Sequence, residues 1–226
     1  MHVVVNAAAS ADGKLSTRRR EQTEISGPDD FARVDRLRAA SDAVLVGVGT
    51  VLADDPHLTL DDPTLREERE TRGEAESPAR VVVDSSGRTP LDARILDDAA
   101  TTYVVVAEEA TADRRAALAD AGAEVIVAGD GRVAPPEALS KLGERGVEEL
   151  MVEGGGEIIY SLFEADLVDE LSLYVGSLVI GGREAPTLAD GPGFVESFPQ
   201  LSLRDVTRVD DGVLLRYDVV GRSERQ

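Results

Sequence analysis

Residues 150–157 read LMVEGGGE, and this stretch decides the fold. Its first residues are apolar, as in a buried strand, and residues 157–163 have the spacing of a helix. The three glycines between them predict a tight turn, because glycine adopts positive φ and lets another group approach the backbone closely. The N-terminus of the following helix offers unpaired N–H donors to an anion. The stretch therefore predicts a phosphate-binding strand, turn and helix, with a turn that binds no ligand as the alternative.

Outward from this stretch, apolar runs alternate with amphipathic segments. Strands are predicted at 2–9, 42–48, 80–84, 101–107, 124–128 and 148–153, and helices at 26–40, 111–121, 135–144 and 157–163. Strand patterns at 169–178 and 205–219 then follow with no helix between them. This order predicts an α/β protein with a mixed, mainly parallel sheet flanked by helices and antiparallel C-terminal strands.

Four local expectations complete this interpretation. Residues 1–226 are predicted to form a single domain, with a charged and mobile surface insertion near 61–77, where apolar periodicity is lacking. The GG pair at 181–182 is expected in a hairpin or bulge. The helix at 26–40 is predicted from the helical spacing of Phe31, Val34, Leu37 and Ala40, and the helix at 157–163 is expected to bury Ile158, Leu162 and Phe163.

The composition of the 226-residue chain limits its partners. A formal net charge of −20 makes nucleic acids and anionic membranes poor partners. Excess Asp and Glu with only two lysines, Lys14 and Lys141, resembles proteins of halophilic archaea, in which salt screens the self-repulsion. The chain has no Cys and only two His, so no metal is expected. No apolar stretch reaches about 18 residues and no basic leader begins the chain, so a cytoplasmic protein is predicted.

Polar residues follow two other predicted strands. The sequence VGVGTV at 46–51 places Thr50 after two glycines and four residues before Asp54, whose carboxylate can accept a hydrogen bond from a ribose. A structural turn with Thr50 as an N-cap is the alternative. The sequence VDSS at 83–86 ends a strand, where ligands of open α/β sheets bind, although most such turns bind nothing.

Two charged residues are candidates for substrate contacts. Glu153 ends an apolar strand, where a carboxylate is costly unless it is paired or functional, and it can bind the amino groups of a heterocycle. Arg38 lies near the end of a helix and can place its planar guanidinium against a phosphate. An ion pair for Glu153 and a solvated helix face for Arg38 are the alternatives. The acidic pairs at 54–55 and 61–62 are interpreted as mainly solvated.

In their order and spacing these motifs resemble the reductase domain of riboflavin biosynthesis, whose fold is similar to that of dihydrofolate reductase. The resemblance covers nearly the whole chain. It is strongest to the stand-alone archaeal members, because a chain without Cys cannot supply the zinc ligands of the deaminase domain that bacterial members carry. The matching segments are 6–15, 37–39, 47–52, 54–56, 58–59, 82–85, 153–156, 167–170 and 181–182.

This resemblance implies a homodimer that uses NADPH to reduce the ribosyl side chain of 2,5-diamino-6-(ribosylamino)-4(3H)-pyrimidinone 5′-phosphate to ribityl, with NADH as a possible substitute. No catalytic side chain is implied, because the cofactor supplies the hydride and the protein aligns the reactants. With the local motifs, the resemblance assigns cofactor binding to Ala8, Thr50, Asp54, Asp84, Ser85, Ser86, Gly155, Gly156, Glu157 and Ile158. It assigns substrate binding to Arg38, Leu58 and Glu153.

The chain departs from its bacterial relatives at two places. Gln22 and Glu24 lie in a loop that reaches the site in the family, but their residue types differ from those of bacterial members. Asp61 stands where bacterial members place a substrate-binding Arg, so another cation, such as Arg38, is expected to hold the ribose phosphate. Three other functions stay open: a reductase of the deaminated pyrimidine or another heterocycle, a non-catalytic nucleotide-binding module, and a structural α/β protein.

Overall fold

The computed structural model describes residues 1–21 and 23–224, which fall in two compact units. Unit 1 comprises Met1 and Asp35–Met151, and unit 2 comprises His2–Val34 and Val152–Gln226. The strands described are β1 (His2–Ser10), β2 (Ala43–Gly47), β3 (Ala79–Val83), β4 (Thr102–Val106), β5 (Glu124–Val127), β6 (Glu149–Gly154), β7 (Glu170–Gly176), β8 (Ser197–Val209) and β9 (Gly212–Glu224). The helices described are α1 (Pro28–Ala40), α2 (Val48–Asp54), α3 (Pro63–Thr71), α4 (Ala112–Asp120), α5 (Pro135–Gly143) and α6 (Gly156–Glu164).

Unit 1 contains a parallel sheet with its helices. β2 pairs with β3, β3 with β4 and β4 with β5, all in parallel. β2 and β4 are buried along their whole length, as expected for Val-rich strands covered on both faces. Because the strands are parallel, the residues that follow β2 and β3 lie at the same edge of this sheet. That edge carries the segments predicted to bind a ligand at 48–54 and 84–86.

Unit 2 contains the antiparallel strands. β1 pairs with β7 in parallel, whereas β9 pairs antiparallel with both β7 and β8. The strand order β5-β4-β3-β2-β6-β1-β7-β9-β8 makes β8 an edge strand. The predicted α/β class, with a mainly parallel mixed sheet and antiparallel C-terminal strands, is confirmed. Within the described residues, no helix is long and apolar enough to cross a membrane.

The charged segment 61–77 contains a helix that its sequence pattern does not reveal. The Asp62 carboxylate accepts a hydrogen bond from the N–H of Thr64 (2.8 Å) and so caps α3. Arg69 is buried, and its Nη1 donates to the carbonyl oxygens of Ala39 and Ser41, both at 2.9 Å. Hydrophobic periodicity does not reveal α3, because a buried arginine anchors the helix in place of apolar side chains. The mobile surface insertion at 61–77 stays a prediction.

Helix α1 buries charged residues. Of the apolar residues at helical spacing, Phe31 is 55% exposed, and Ala40 is also exposed. The residues that α1 buries are Asp30, Arg33, Asp35 and Ala39. The spacing of the apolar residues thus predicts the helix, but two of these four residues are not on its buried face. In α6, Leu162 and Phe163 are buried as predicted, but Ile158 is half-buried, and Ile159 and Tyr160 are buried instead.

Candidate functional site

The glycine turn of unit 2 joins β6 to α6 as predicted. Gly154 has φ +136°, a conformation that side-chain-bearing residues rarely adopt, and the peptide bond from Gly154 to Gly155 is cis. Gly155 is the N-cap of α6 and supplies no capping side chain. The first amides of α6 therefore depend on another acceptor. This is the arrangement in which a helix N-terminus binds an anion.

The structure gives a steric reason for glycine at position 156 that the sequence pattern does not show. A Cβ atom at Gly156 would collide with the carbonyl oxygen of Thr187 and would lie 2.9 Å from Oδ2 of Asp190. The N–H of Asp190 donates to the carbonyl oxygen of Gly156 at 3.0 Å. The Asp190 carboxylate in turn accepts hydrogen bonds from Thr187, whose N–H lies 3.1 and 3.2 Å from its two oxygens. Residues 187–190 thus fix the first residue of α6.

Two further contacts hold the loop that leads to residues 187–190. The Asp12 carboxylate accepts hydrogen bonds from the N–H groups of Ile180 (3.0 Å) and Gly181 (2.8 Å), and Lys14 Nζ donates to the carbonyl oxygen of Ala185 (3.1 Å). Gly181 and Gly182 have φ values of +69° and +89° in this loop. The pair belongs to neither a hairpin nor a bulge, so that prediction was wrong.

Asp12 gives this loop a pH dependence. The hydroxyl of Ser10 and the two loop amides lower the pKa of Asp12 from 3.8 to about 2. Because the pKa is lowered on folding, the contribution of the carboxylate is complete above about pH 4 and is lost as the pH falls through about 2. We expect Asp12→Asn to speed amide hydrogen exchange at Gly181 at pH 7, with Glu184→Gln, an exposed residue of the same loop, as the control. Equal protection in Asp12→Asn and the wild type would show that the carboxylate does not hold the loop.

The remaining predicted positions of unit 2 lie on β1, β6 and α6. Ala8 is half-buried in β1, opposite Tyr174 of β7. Glu153 is half-buried in β6, directly before the glycine turn. Glu157 is exposed in the first turn of α6, followed by the half-buried Ile158. Glu24 is exposed, and Gln22 lies outside the described residues.

In unit 1, α2 follows β2 without an irregular connection. Gly47 is the N-cap of α2, so Thr50 lies within the helix and the alternative of Thr50 as an N-cap is excluded. Asp54 is the last residue of α2 and is half-buried. Asp55 ends the helix in the left-handed conformation, with φ +41°. Thr50 and Asp54 are one helical turn apart, which places their side chains on the same face of α2.

The segment after α2 brings two predicted substrate contacts together. Arg38 Nη1 of α1 donates to the carbonyl oxygen of Thr59 at 3.3 Å. Leu58, adjacent to Thr59, is 5% exposed and has φ +53°. A leucine in the left-handed region costs about 1–3 kcal/mol and persists only where the surrounding structure enforces it, which occurs often in ligand-binding segments.

The turn after β3 is organised by Asp84. Its side chain is fully buried, and its Oδ2 accepts hydrogen bonds from the N–H (2.6 Å) and hydroxyl (2.7 Å) of Thr89. The other oxygen, Oδ1, has no hydrogen-bond partner in the described part of the chain. Ser85 Oγ accepts a hydrogen bond from the N–H of Val133 (3.0 Å), and Ser86 is exposed. Asp84, predicted to contact a cofactor, therefore uses its side chain to hold the turn.

The burial of three charged residues of α1, Asp30, Arg33 and Asp35, escaped prediction. In unit 2, the Arg33 guanidinium donates to Asp30 Oδ1 (2.7 Å), Asn6 Oδ1 (2.9 Å) and Ser172 Oγ (3.1 Å). In unit 1, Asp35 accepts hydrogen bonds from the N–H groups of residues 61 and 62 at 2.8–3.1 Å. The spacing of Asp30 and Arg33, i and i+3 on a helix, was the one signal for the first of these clusters.

Acidic side chains do not gather into a metal site in the described residues: no group of three or more His, Asp or Glu is placed to hold a metal ion. The polar features are instead a helix N-terminus after a strand, in unit 2, and polar turns after parallel strands, in unit 1. They place the chain among the α/β proteins that carry polar turns and helix N-termini at the carboxyl ends of their strands, where ligands of open α/β sheets bind.

Comparison with known proteins assigns the family. Residues 1–215 match the family model described as the RibD C-terminal domain, and the chain belongs to this family. It is 47% identical over 211 residues to the 2,5-diamino-6-ribosylamino-4(3H)-pyrimidinone 5′-phosphate reductase of Archaeoglobus fulgidus, covering 93% of this chain and 94% of that protein. It is 40% identical over 222 residues to the protein of the same name from Methanothermobacter thermautotrophicus, covering 97% and 99%. The prediction of a reductase is confirmed.

Solved structures agree with this assignment. Acinetobacter baumannii RibD superposes with a TM-score of 0.77 at 26% identity, covering 97% of this chain and 58% of that one. A pyrimidine reductase-like protein from Corynebacterium diphtheriae superposes with a TM-score of 0.85 and covers 97% and 92%. At 19% identity the second match shows the fold alone. The expected similarity to the riboflavin-biosynthesis reductases is thus found in the fold as well as in the sequence.

Proposed function

We propose that residues 1–226 act as one cytoplasmic reductase domain that uses NADPH to reduce the ribosyl side chain of 2,5-diamino-6-(ribosylamino)-4(3H)-pyrimidinone 5′-phosphate to ribityl, in riboflavin biosynthesis. The observation that carries the proposal is the N-terminus of α6, which follows Glu153 and the glycine turn. Its N-cap residue, Gly155, has no side chain to accept hydrogen bonds from the first amides of the helix. The supporting relatives are 40–47% identical over nearly the whole chain and bear the name of this reductase.

The residues present fit a dinucleotide. In unit 2, Gly155, Gly156 and Glu157 hold the pyrophosphate through the amides at the start of α6. Ile158 lies beside them, and its own N–H donates to the carbonyl oxygen of Gly155 at 3.0 Å. Ala8 contacts the cofactor from β1. In unit 1, the cofactor contacts that we propose are Thr50 and Asp54 of α2 and Ser85 and Ser86 of the turn after β3, which Asp84 holds through Thr89. These donors are local and largely uncharged, so they bind an anion despite the net charge of −20.

Substrate contacts are assigned to three residues. Glu153 accepts hydrogen bonds from the amino groups of the pyrimidine, because a carboxylate matches neighbouring N–H donors. Arg38 supplies the cation for the ribose phosphate, because position 61 holds Asp where bacterial members have a substrate-binding Arg. Asp61 is exposed, and its N–H donates to the Asp35 carboxylate. Leu58 packs against the substrate from its left-handed position.

The proposed reaction requires little chemistry from the side chains. NADPH supplies the hydride that C1′ of the open-chain imine accepts. The protein holds the two reactants in line, which is the larger part of catalysis in such a reaction. The proton for the imine nitrogen comes from bound water or from the substrate, and no side chain is assigned to that step.

Steady-state NADPH oxidation tests the proposal. Wild-type protein is assayed with the diamino substrate and with its deaminated counterpart, and then with NADH in place of NADPH. The proposal expects turnover with the diamino substrate and NADPH, at a kcat/KM about tenfold or more above the other combinations, which corresponds to a difference of about 1.4 kcal/mol. Preference for the deaminated pyrimidine would support the alternative reductase. Stoichiometric NADPH binding without oxidation would support the binding module.

We further propose that the protein is a homodimer that associates through β8 and β9. Apolar side chains are exposed on these strands in unit 2: Leu201, Leu203, Val206, Val213 and Val220. An exposed apolar face beside an edge strand is a surface that a second copy of a chain can cover. Light scattering in molar KCl is expected to give the mass of a dimer, and a monomer mass would contradict the proposal.

The acidic composition predicts a requirement for salt, as in proteins of halophilic archaea. With 44 acidic and 24 basic residues, the folded chain repels itself, and salt screens that repulsion. We expect the thermal unfolding midpoint to rise markedly between dilute buffer and molar KCl. Calorimetry in KCl measures it, and an unchanged midpoint would contradict adaptation to high salt.

A further inference from the structure

A fully buried arginine organises the loop that follows the 3-10 turn at Arg94–Leu96 in unit 1. Arg80 of β3 has no exposed surface, and its Nε donates to Thr102 Oγ1 at 2.9 Å. Its Nη1 donates to Asp97 Oδ1 at 2.7 Å, and its Nη2 donates to the carbonyl oxygens of Asp97 (2.5 Å) and Ala100 (2.6 Å). Since a buried guanidinium is stable only when its donors are satisfied, these contacts fix the position of Asp97.

Asp97 in turn contacts His57. Its second oxygen, Oδ2, is hydrogen-bonded to His57 Nε2. Partial burial opposes ionisation of Asp97, but the hydrogen bonds from Arg80 and His57 outweigh it and lower the pKa of Asp97 from 3.8 to about 2. Asp97 is therefore a carboxylate at neutral pH, and the contact with His57 is charge-assisted.

His57 lies within the segment that carries Leu58. On the other side of Pro56, Asp55 Oδ1 accepts a hydrogen bond from the N–H of Arg94 at 2.9 Å. Residues 55–57 are thus attached to residues 94–97 at two points, Asp55 and His57. His57 immediately precedes Leu58, which has φ +53°. A leucine keeps a left-handed conformation only when its neighbours hold it there.

We propose that His57 and Asp97 are positioning residues that hold Leu58 in its left-handed conformation and thereby set the affinity for the pyrimidine substrate. This inference rests on the proposed function for the role of Leu58. The side chains of His57 and Asp97 act through the backbone of residues 57–58, and neither has to touch the substrate. Removal of the contact frees Leu58 to relax and lowers the population of the binding-competent loop.

Substitutions at His57 provide the test. We expect His57→Leu to raise KM for the diamino substrate about tenfold, with kcat within about twofold and KM for NADPH unchanged, because a binding surface rather than the transition state is perturbed. His57→Gln keeps an N–H donor that can reach Asp97 and is expected to restore most of the affinity. The control is His2→Leu, the same change at the other histidine, which lies at the start of β1.

Amide hydrogen exchange at Leu58 supplies a readout that needs no turnover. His57→Leu is expected to speed this exchange and His57→Gln to restore it, so the proposal is tested even if wild-type protein reduces no pyrimidine. That failure would overturn the proposed function alone. A large fall in kcat without rescue by Gln would indicate proton transfer by His57 and would overturn the positioning role. Unchanged KM together with unchanged exchange in His57→Leu would overturn it as well.

Discussion

Replacing Gly156 with alanine is expected to remove measurable NADPH binding at micromolar cofactor. The added methyl group would enter the space taken by the carbonyl oxygen of Thr187 and the carboxylate of Asp190. Overpacking of this kind costs about 1–3 kcal/mol, and here it displaces the first turn of α6 from residues 187–190. The loss combines a distorted anion-binding turn with a less stable loop. Fluorescence titration with NADPH and a thermal melt measure the two effects separately.

A matched glycine separates this effect from a general one. Gly143 is the last residue of α5, and the nearest atom to an added Cβ is Met1 Cε at 4.0 Å. Gly143→Ala is expected to keep wild-type NADPH affinity and to be neutral or slightly stabilising, because alanine has the higher helix propensity. Wild-type affinity in Gly156→Ala would show that the start of α6 does not bind the cofactor.

Glu153→Gln is expected to lower kcat/KM for the pyrimidine by about 10–100-fold while the Kd for NADPH stays within about threefold. Glutamine preserves the shape of Glu153 but replaces a charged acceptor with a neutral amide, and hydrogen bonds to charged groups contribute about 1.5–3 kcal/mol. At about 1.4 kcal/mol per tenfold, that range gives the expected loss. Steady-state kinetics with the diamino substrate and a separate NADPH titration provide the two numbers.

The control for this substitution is Glu148→Gln, the same change at an exposed residue just before β6. It is expected to leave both kcat/KM and NADPH affinity at wild-type values. Equal losses of catalytic efficiency and NADPH affinity in Glu153→Gln would assign Glu153 to the cofactor or to folding instead of to the substrate. A lower unfolding midpoint in the variant would distinguish folding from cofactor binding.

The path from β6 through the glycine turn into α6 was readable from sequence, since each step has a local cause. An apolar run makes the strand, consecutive glycines permit φ +136° at Gly154, and amphipathic spacing makes the helix. The same reasoning places Thr50 and Asp54 after β2. Sequence reasoning does not reveal that residue 156 must also be glycine to fit against residues 187–190, because that contact joins positions more than 30 residues apart.

Buried charges account for the main failures of prediction. Hydrophobic periodicity assumes that apolar residues face inward, yet α1 buries Asp30, Arg33 and Asp35 and exposes Phe31. α3 is held by Arg69 through backbone carbonyls rather than by an apolar stripe. Such residues can be buried because they have hydrogen-bond partners, and several of those partners lie far away in sequence and become known only from the fold. The burial of Arg80 and its contact with Asp97 were not predicted for the same reason.

Transfer of deuterium tests the central claim most directly. Wild-type protein is incubated in molar KCl with the diamino substrate and NADPH that carries deuterium at both C4 positions, and the product is analysed by mass spectrometry and NMR. The proposed reaction predicts one deuterium in the product, located at C1′ of a newly formed ribityl chain. Consumption of NADPH with deuterium elsewhere in the pyrimidine, or recovery of unreduced substrate beside bound NADPH, would contradict it.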